Sequence, residues 1–285
     1  MTETALRPLL GTDFGHGTAR VAQLPAGLRE RYGSDLVIPL AQGRPTVVAN
    51  FVTTLDGVVA FDPRAGLGGS AVSGHFEPDR FVMGLLRAVS DGVLVGAGTV
   101  RSDSRGRWVA ASVHPGSAAD TAALRADLGL APNPTTIVVS GSGDLDPGHP
   151  GLSDAQIPAV LVTSSRGLAR LTTKSFGAHV ELVAAGDDRV EPRQLIDVLR
   201  ARGFQLVLCE GGPHLIGDLT GAQLLDELFL TTAPQLAGHE RGDSRLSLVE
   251  GRAFSVDEAP WADLVDLRVA GNHLFSRYRF GGKKQ

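Results

Sequence analysis

Short β-branched runs punctuate the chain: TVVANFV (46–52), GVLVG (92–96), TIVVS (136–140), AVLVT (159–163), VELVA (180–184), LVLCE (206–210) and ELFLTT (227–232). Most are continuously apolar rather than alternating, the pattern of strands covered on both faces. Between several of them the apolar spacing becomes helical. In PDRFVMGLLRAVS (78–90), Phe81, Val82, Leu85, Leu86 and Val89 share one face, and Pro78 suits a first turn. PRQLIDVLRARG (192–203) repeats Leu195, Ile196 and Leu199 and stops at Gly203. Strand and helix in alternation predict a largely parallel sheet with helices on both faces. The C-terminus departs from this. ADLVDLRVAG followed by NHLFSRYRF predicts two strands joined by a tight Ala270-Gly271-Asn272 turn, an antiparallel hairpin at the sheet edge. The expected fold class is α/β, with a mixed, mostly parallel sheet.

Residues 1–44 have weak periodicity and many Pro and Gly, which predicts an extension packed on a domain of residues 45–285. Residues 104–133, which include a short helix candidate, and residues 237–262 read as long loops, which in compact domains are often functional. A chain of 285 residues with 42% hydrophobic content can build a substantial core. The net charge of −4 supplies no basic field, so neither nucleic acid nor an anionic membrane is expected as a partner. One cysteine, Cys209, allows no internal disulfide and suits a reducing cytoplasm; inside its strand it reads as a small buried hydrophobe. The histidines form no HExxH pair, so no bound metal is expected. Glu3, Arg7 and Asp13 interrupt the stretch where a signal peptide would be apolar, so a cytoplasmic protein is expected.

Ligands of open α/β sheets sit beyond the carboxyl ends of the parallel strands. Those ends read VGAGTVRSD (95–103), VVSGSG (138–143), LVTSSRG (161–167) and LCEGGPHLIG (208–217). Small residues with hydroxyls or arginine let backbone amides approach an anion closely. Together the four ends suggest an extended anionic ligand. GAGTVR places Arg101 where the usual dinucleotide fingerprint needs a third glycine, so that fingerprint does not apply. Two carboxylates stand out. Asp56, in TTLDG, has both a turn reading and a site reading, because Asp-Gly commonly makes a turn. Glu210 lies between a buried strand and a double glycine, where a carboxylate is costly to desolvate unless donors or a ligand meet it. Arg87 falls off the apolar stripe of its helix, open to a solvated or a ligand-binding reading.

In this order, TTLDG, LLRAVSDGVLVGAGTVRSD, VVS, CEGGPHLIGDL and LLDELFLTTAPQLAG resemble the reductase domain of riboflavin biosynthesis, over roughly residues 44–280. The resemblance implies a dihydrofolate reductase-like fold, NADPH as cofactor, a phosphorylated ribosylaminopyrimidine as substrate and a homodimer. It implies that Thr99, Asp103, Ser140 and the segment carrying Gly211, Gly212, Leu215, Ile216 and Gly217 hold NADPH. It gives Arg87 to the substrate phosphate and Glu210 to the substrate, with Asp56 between substrate and nicotinamide, so that Asp56 and Glu210 should meet around one ring. Ser164, Ser165 and Arg166 are candidates for the 2′-phosphate on composition. The chain departs from the family in reading TTLDG for the usual Ala-Ser-Leu-Asp-Gly, and DSRGR (103–107) for the usual acidic pair with proline. No HxE with PCxxC is present, so a deaminase half is not expected. Two other readings stand beside the pyrimidine reductase: reduction of a dihydropteridine or dihydrofolate, and a non-catalytic dinucleotide-binding module.

Overall fold

The computed structural model describes residues 5–11, 18–240 and 242–281; Glu3, Asp13 and Arg241 lie outside them. In chain order the strands are β1 (Arg7–Gly11), β2 (Ala19–Ala22), β3 (Leu36–Pro39), β4 (Thr46–Thr53), β5 (Val58–Ala60), β6 (Gly92–Gly96) and β7 (Thr135–Ser140). They continue with β8 (Ala159–Thr163), β9 (Val180–Ala184), β10 (Leu206–Cys209), β11 (Glu227–Thr232), β12 (Leu246–Ser247), β13 (Ala262–Ala270) and β14 (His273–Phe280). Ten of them form one sheet in the order β1-β13-β14-β11-β4-β10-β6-β7-β8-β9. From β11 to β9 every neighbouring pair is parallel. The three strands beyond β11 alternate in direction.

Continuous apolar runs become central strands because both faces are covered. Along β4, β6 and β10, successive side chains enter two separate cores. Val48, Val93, Val95, Leu206 and Leu208 join one, while Val47, Leu94, Val207 and Cys209 join the other. The helix Glu77–Val89 seals the first with Phe81, Val82, Leu85 and Leu86. Helices Pro192–Ala201 and Pro213–Gly221 seal the second with Leu195, Leu199, Ile216 and Leu219. Each of these side chains is at most 4% exposed, so the area removed from water at roughly 25 cal/mol per Å² is the main term holding the layers together.

The C-terminal hairpin forms as its alternation predicts, closed at Ala270 and His273, but it is not the edge of the sheet. Strand β1 pairs with β13 and takes the outer place. Its sequence RPLLG is exposed throughout and carries Pro8, so it shows none of the buried periodicity that marks a strand. The segment that follows also packs inward: Leu28, Tyr32, Leu36 and Ile38 are nearly inaccessible and join the first core. Residues 104–133 carry the helices Ala110–Val113 and Ala118–Asp127 with the short 3-10 helix Pro115–Ser117 between them, whereas β12 is the one regular element among the described residues of 237–261. Among the described residues no helix is long and apolar enough to cross a membrane.

Candidate active site

Beyond the carboxyl ends of β4, β6 and β10 lies an open cleft of about 590 Å³, a volume in the range of small-molecule sites. At the end of β10 the Glu210 amide donates to the Leu94 carbonyl at 2.9 Å, continuing the ladder to β6 by one residue. Gly211 and Gly212 then lead into the helix Pro213–Gly221, which no side chain caps. Strand β6 ends in the same way: Gly96 opens the helix Ala97–Ser102 without a side-chain cap. The two starts lie against each other. A Cβ on Gly211 would stand 2.5 Å from Leu215 Cδ2 and 3.3 Å from the Gly96 nitrogen, so a side chain there would require Leu215 and the Gly96 amide to shift. A Cβ on Gly212 would stand 3.7 Å from Thr99 Oγ1. Adjacent helix starts with their amides uncapped concentrate positive potential at the cleft wall.

Glu210 lines the cleft, and Arg87 grips it. Arg87 Nε donates to Glu210 Oε1 at 2.8 Å and Nη2 to Oε2 at 2.6 Å, a fork that matches the carboxylate. Both side chains are 8% exposed. Arg87 Nη1 also reaches the carbonyls of Arg107 and Val109, at 3.3 and 3.2 Å. One guanidinium therefore joins the helix Glu77–Val89, the end of β10 and the 107–109 loop. The solvated-face reading of Arg87 does not hold: its guanidinium is buried, lines the cleft and is held by Glu210.

A second carboxyl lines the cleft, one the sequence reading did not single out. Asp79 is 4% exposed, although it occupies the first turn of its helix, where acids are normally solvated. Burial pushes its carboxyl up to about 6, opposed by hydrogen bonds with the Thr231 and Ser73 hydroxyls and by Arg80, and reinforced by the charge of Glu210. Arg80, Arg105 and Arg107 line the cleft with exposed side chains. Arg107 shares its charge with Asp154 at 3.7 Å. Met83 and the buried Trp108 supply apolar wall.

Of the residues the resemblance named, Thr99, Asp103, Gly211, Gly212, Arg87 and Glu210 line this cleft together. Asp56 does not line it. Its exposed carboxylate is met by the Thr54 hydroxyl at 2.5 Å and by the amides of Ala237 and Gly238, at 3.1 and 2.6 Å. These donors, Thr54 first, hold it well below the usual carboxylate range. Gly57 follows at φ 90°, so the Asp-Gly turn accounts for the acid, which ties that turn to the 237–238 loop. The expected meeting of Asp56 and Glu210 around one ring is therefore not what the structure shows.

Ser140 is also away from the cleft lining. Its hydroxyl accepts from the Gly143 amide at 3.1 Å, while the Thr163 hydroxyl donates to its carbonyl at 2.5 Å. Ser164 caps a helix by accepting from the Gly167 amide at 3.0 Å, Ser165 bonds to the Gly186 carbonyl, and Arg166 pairs with Asp188 at the surface. A Cβ on Gly143 would come within 2.2 Å of the Gly167 carbonyl oxygen, so the ends of β7 and β8 are knitted to one another. Further along the last helix, Ile216 is buried in the core, Leu215 packs against that core and over Gly211, and Gly217 abuts the Glu250 carbonyl. Of the four expected strand ends, two build the cleft; β4, β5, the helix Glu77–Val89 and the segments 63–70 and 105–113 supply most of the rest. Cys209 is fully buried, and burial drives its thiol up to about 12, which leaves it a packing residue.

Comparison with known proteins agrees with this architecture. The model of the family described as the RibD C-terminal domain matches residues 45–268. The chain is 28% identical to the 2,5-diamino-6-ribosylamino-4(3H)-pyrimidinone 5′-phosphate reductase of Methanothermobacter thermautotrophicus, over 84% of this chain and 100% of that protein. The protein of that name from Archaeoglobus fulgidus is 28% identical over 74% of this chain and 89% of its own length. Among solved structures, a pyrimidine reductase-like protein from Corynebacterium diphtheriae shares the fold with a TM-score of 0.63 at 21% identity, covering 84% of this chain and 93% of that one. With its sheet, its cleft and a family match spanning most of its length, the chain belongs to the RibD C-terminal domain family, the pyrimidine reductases of riboflavin biosynthesis, and is an oxidoreductase.

Proposed function

We propose that this chain uses NADPH to reduce a ribosylaminopyrimidine phosphate to the ribitylamino product. The observation that carries the reading is the pair of adjoining, uncapped helix starts opening onto an acid-floored cleft. Such a pair suits the pyrophosphate of a dinucleotide, and the space that a Cβ at Gly211 would take is what lets backbone amides come this close. Thr99 and Asp103 lie on the same wall and would hold the remainder of the cofactor. When bound, NADPH supplies the hydride; the chain supplies alignment and charge.

Arg80, Arg105 and Arg107, exposed on the cleft, would receive the substrate phosphate, the task first given to Arg87. Arg87 instead positions Glu210. Fixed by that fork, the Glu210 carboxylate stabilises the cationic centre that develops at the first ribose carbon as the glycosylamine opens. Trp108 and Met83 exclude water from that carbon. Three exposed arginines on the cleft favour a phosphorylated pyrimidine over a pterin, and an open cleft holding the carboxyl groups of Asp79, Asp103 and Glu210 favours catalysis over an idle module. Relatives named as pyrimidinone phosphate reductases support the same substrate class. A homodimer is part of the proposal, tested by light scattering at twice the chain mass.

Loss of NADPH absorbance is the direct test. Oxidation on addition of the ribosylaminouracil phosphate or its diaminopyrimidinone counterpart is the expected result. Oxidation with a dihydropterin alone, or with none of the three, would overturn the assignment.

A further inference from the structure

Reduction of a cyclic ribosylamine takes up one hydride and one proton. Glu210 has both oxygens engaged by Arg87, a geometry that suits it to stabilising charge. Asp79 stands in a different environment on the same cleft. It lines the cleft at 4% exposure, with the Thr231 hydroxyl on β11 and Ser73 of the preceding turn beside it, while the Ser73 hydroxyl itself donates to the Ser70 carbonyl at 3.3 Å. The charged groups facing it are few. Glu210 opposes its ionisation from the end of β10, with Arg87 committed to that acid; Arg80 on its own helix favours ionisation and points to solvent. Behind Ser73, His273 of β14 bonds to the Ser73 carbonyl at 3.2 Å, and burial lowers its basicity. Two carboxyls in one cleft, one paired with a guanidinium and one buried among hydroxyls, are set apart by environment into a charge stabiliser and an acid.

We propose that Asp79 is the acid that gives its proton to the ribose ring oxygen. This rests on the reductase reading above. As the C1′–O4′ bond breaks, its electron pair takes the Asp79 proton and becomes the 4′-hydroxyl, while the exocyclic nitrogen lone pair forms a C=N⁺ bond to C1′. Hydride then reaches C1′, the C=N electrons return to nitrogen, and the open-chain amine results. One proton and one hydride enter, and Asp79 regains its proton from solvent. The raised proton affinity of Asp79, to about 6, keeps a fraction of it protonated at neutral pH. Because it is buried at the N-terminal turn of a helix, its protonation answers to cleft polarity more than to surface charge.

The test compares wild type with Asp79→Asn and Asp79→Glu in NADPH oxidation with the ribosylaminopyrimidine phosphate, from about pH 5 to about pH 8. Wild-type kcat should fall as pH rises above about 6. Asp79→Asn should lose about 100-fold or more in kcat, with substrate KM and NADPH binding by fluorescence close to wild type, and its residual rate should lack the alkaline limb. Asp79→Glu should recover part of the rate with a displaced limb, and this variant decides the matter should the asparagine variant not fold. Wild-type kcat in Asp79→Asn across the range, or a residual activity that keeps the wild-type limb, would overturn the role of Asp79 alone. A wild-type protein that oxidises no NADPH with either pyrimidine would overturn the reductase reading with it.

Discussion

Two buried carboxylate–guanidinium clusters flank the same strand, β4, at opposite ends of its neighbours. Glu210 follows the carboxyl end of β10, and Glu227 begins β11. At Glu227, Arg277 Nε and Nη2 converge on Oε2 at 2.8 and 2.5 Å, and Arg279 Nε reaches Oε1 at 3.0 Å. Arg277 also binds the Val37 carbonyl at 2.8 Å, and nearby Arg268 binds Asp266, Ser34 and the Tyr32 carbonyl while lying over the Tyr32 ring. These arginines clamp residues 32–37 onto the antiparallel strands around a void of only about 10 Å³. Arg87 and Glu210 are nearly as buried, yet they face about 590 Å³. Paired charges below the surface thus serve as framework in one place and as a site in the other. What separates the two is open space at the carboxyl ends of parallel strands, where helix starts converge.

The largest effect should come from the closed cluster. Glu227→Ala leaves two arginines facing a hole and should lower unfolding free energy by about 3–5 kcal/mol in urea titration, with kcat of the folded fraction unchanged. A cost below about 1 kcal/mol would mean that the cluster is not framework. Next comes Asp79, whose carboxyl is raised from 3.8 to about 6 in the native state. A raised native value means that its contribution is present in full below about pH 4 and is lost as pH rises through about 6. By about pH 8 the ionised form should cost about 2–3 kcal/mol, which asparagine avoids. The urea midpoint of Asp79→Asn relative to wild type should therefore be higher at about pH 8 than at about pH 4.5, and an equal offset at both would contradict the burial argument.

Gly211→Ala should weaken NADPH binding about tenfold by fluorescence titration, because its Cβ forces Leu215 and the Gly96 amide apart; unchanged affinity would move the cofactor away from the paired helix starts. The smallest effect belongs to Asp56→Asn. Its carboxylate anchors the 237–238 loop from outside the cleft, so kcat should stay within about threefold of wild type while proteolysis of that loop quickens. A collapse of kcat would bring Asp56 back to the reacting centre.

Local pattern made the parallel core legible. Buried runs such as GVLVG and AVLVT need no context, because both faces of a central strand are apolar. Strand β1 was not legible, since RPLLG is exposed and joins the sheet only through β13. Glu210 could be read because an acid after a buried strand breaks a local rule. Asp79 breaks none: acids are favoured in the first turn of a helix, and only the packing of Thr231 and Ser73 over it reveals that it is buried. Ser140, Ser164 and Asp56 have local partners for the complementary reason. Hydroxyls and acids at strand ends satisfy turns and caps as readily as ligands, and composition does not distinguish the two.

Steady-state turnover of Glu210→Gln beside Glu227→Gln, with NADPH and the ribosylaminopyrimidine phosphate, tests most directly the claim that open space sets the site apart from the framework. Glu210→Gln should lose about 100-fold or more in kcat while remaining folded, and the folded fraction of Glu227→Gln should turn over at the wild-type rate. Wild-type turnover by Glu210→Gln, or equal losses in the two, would contradict it.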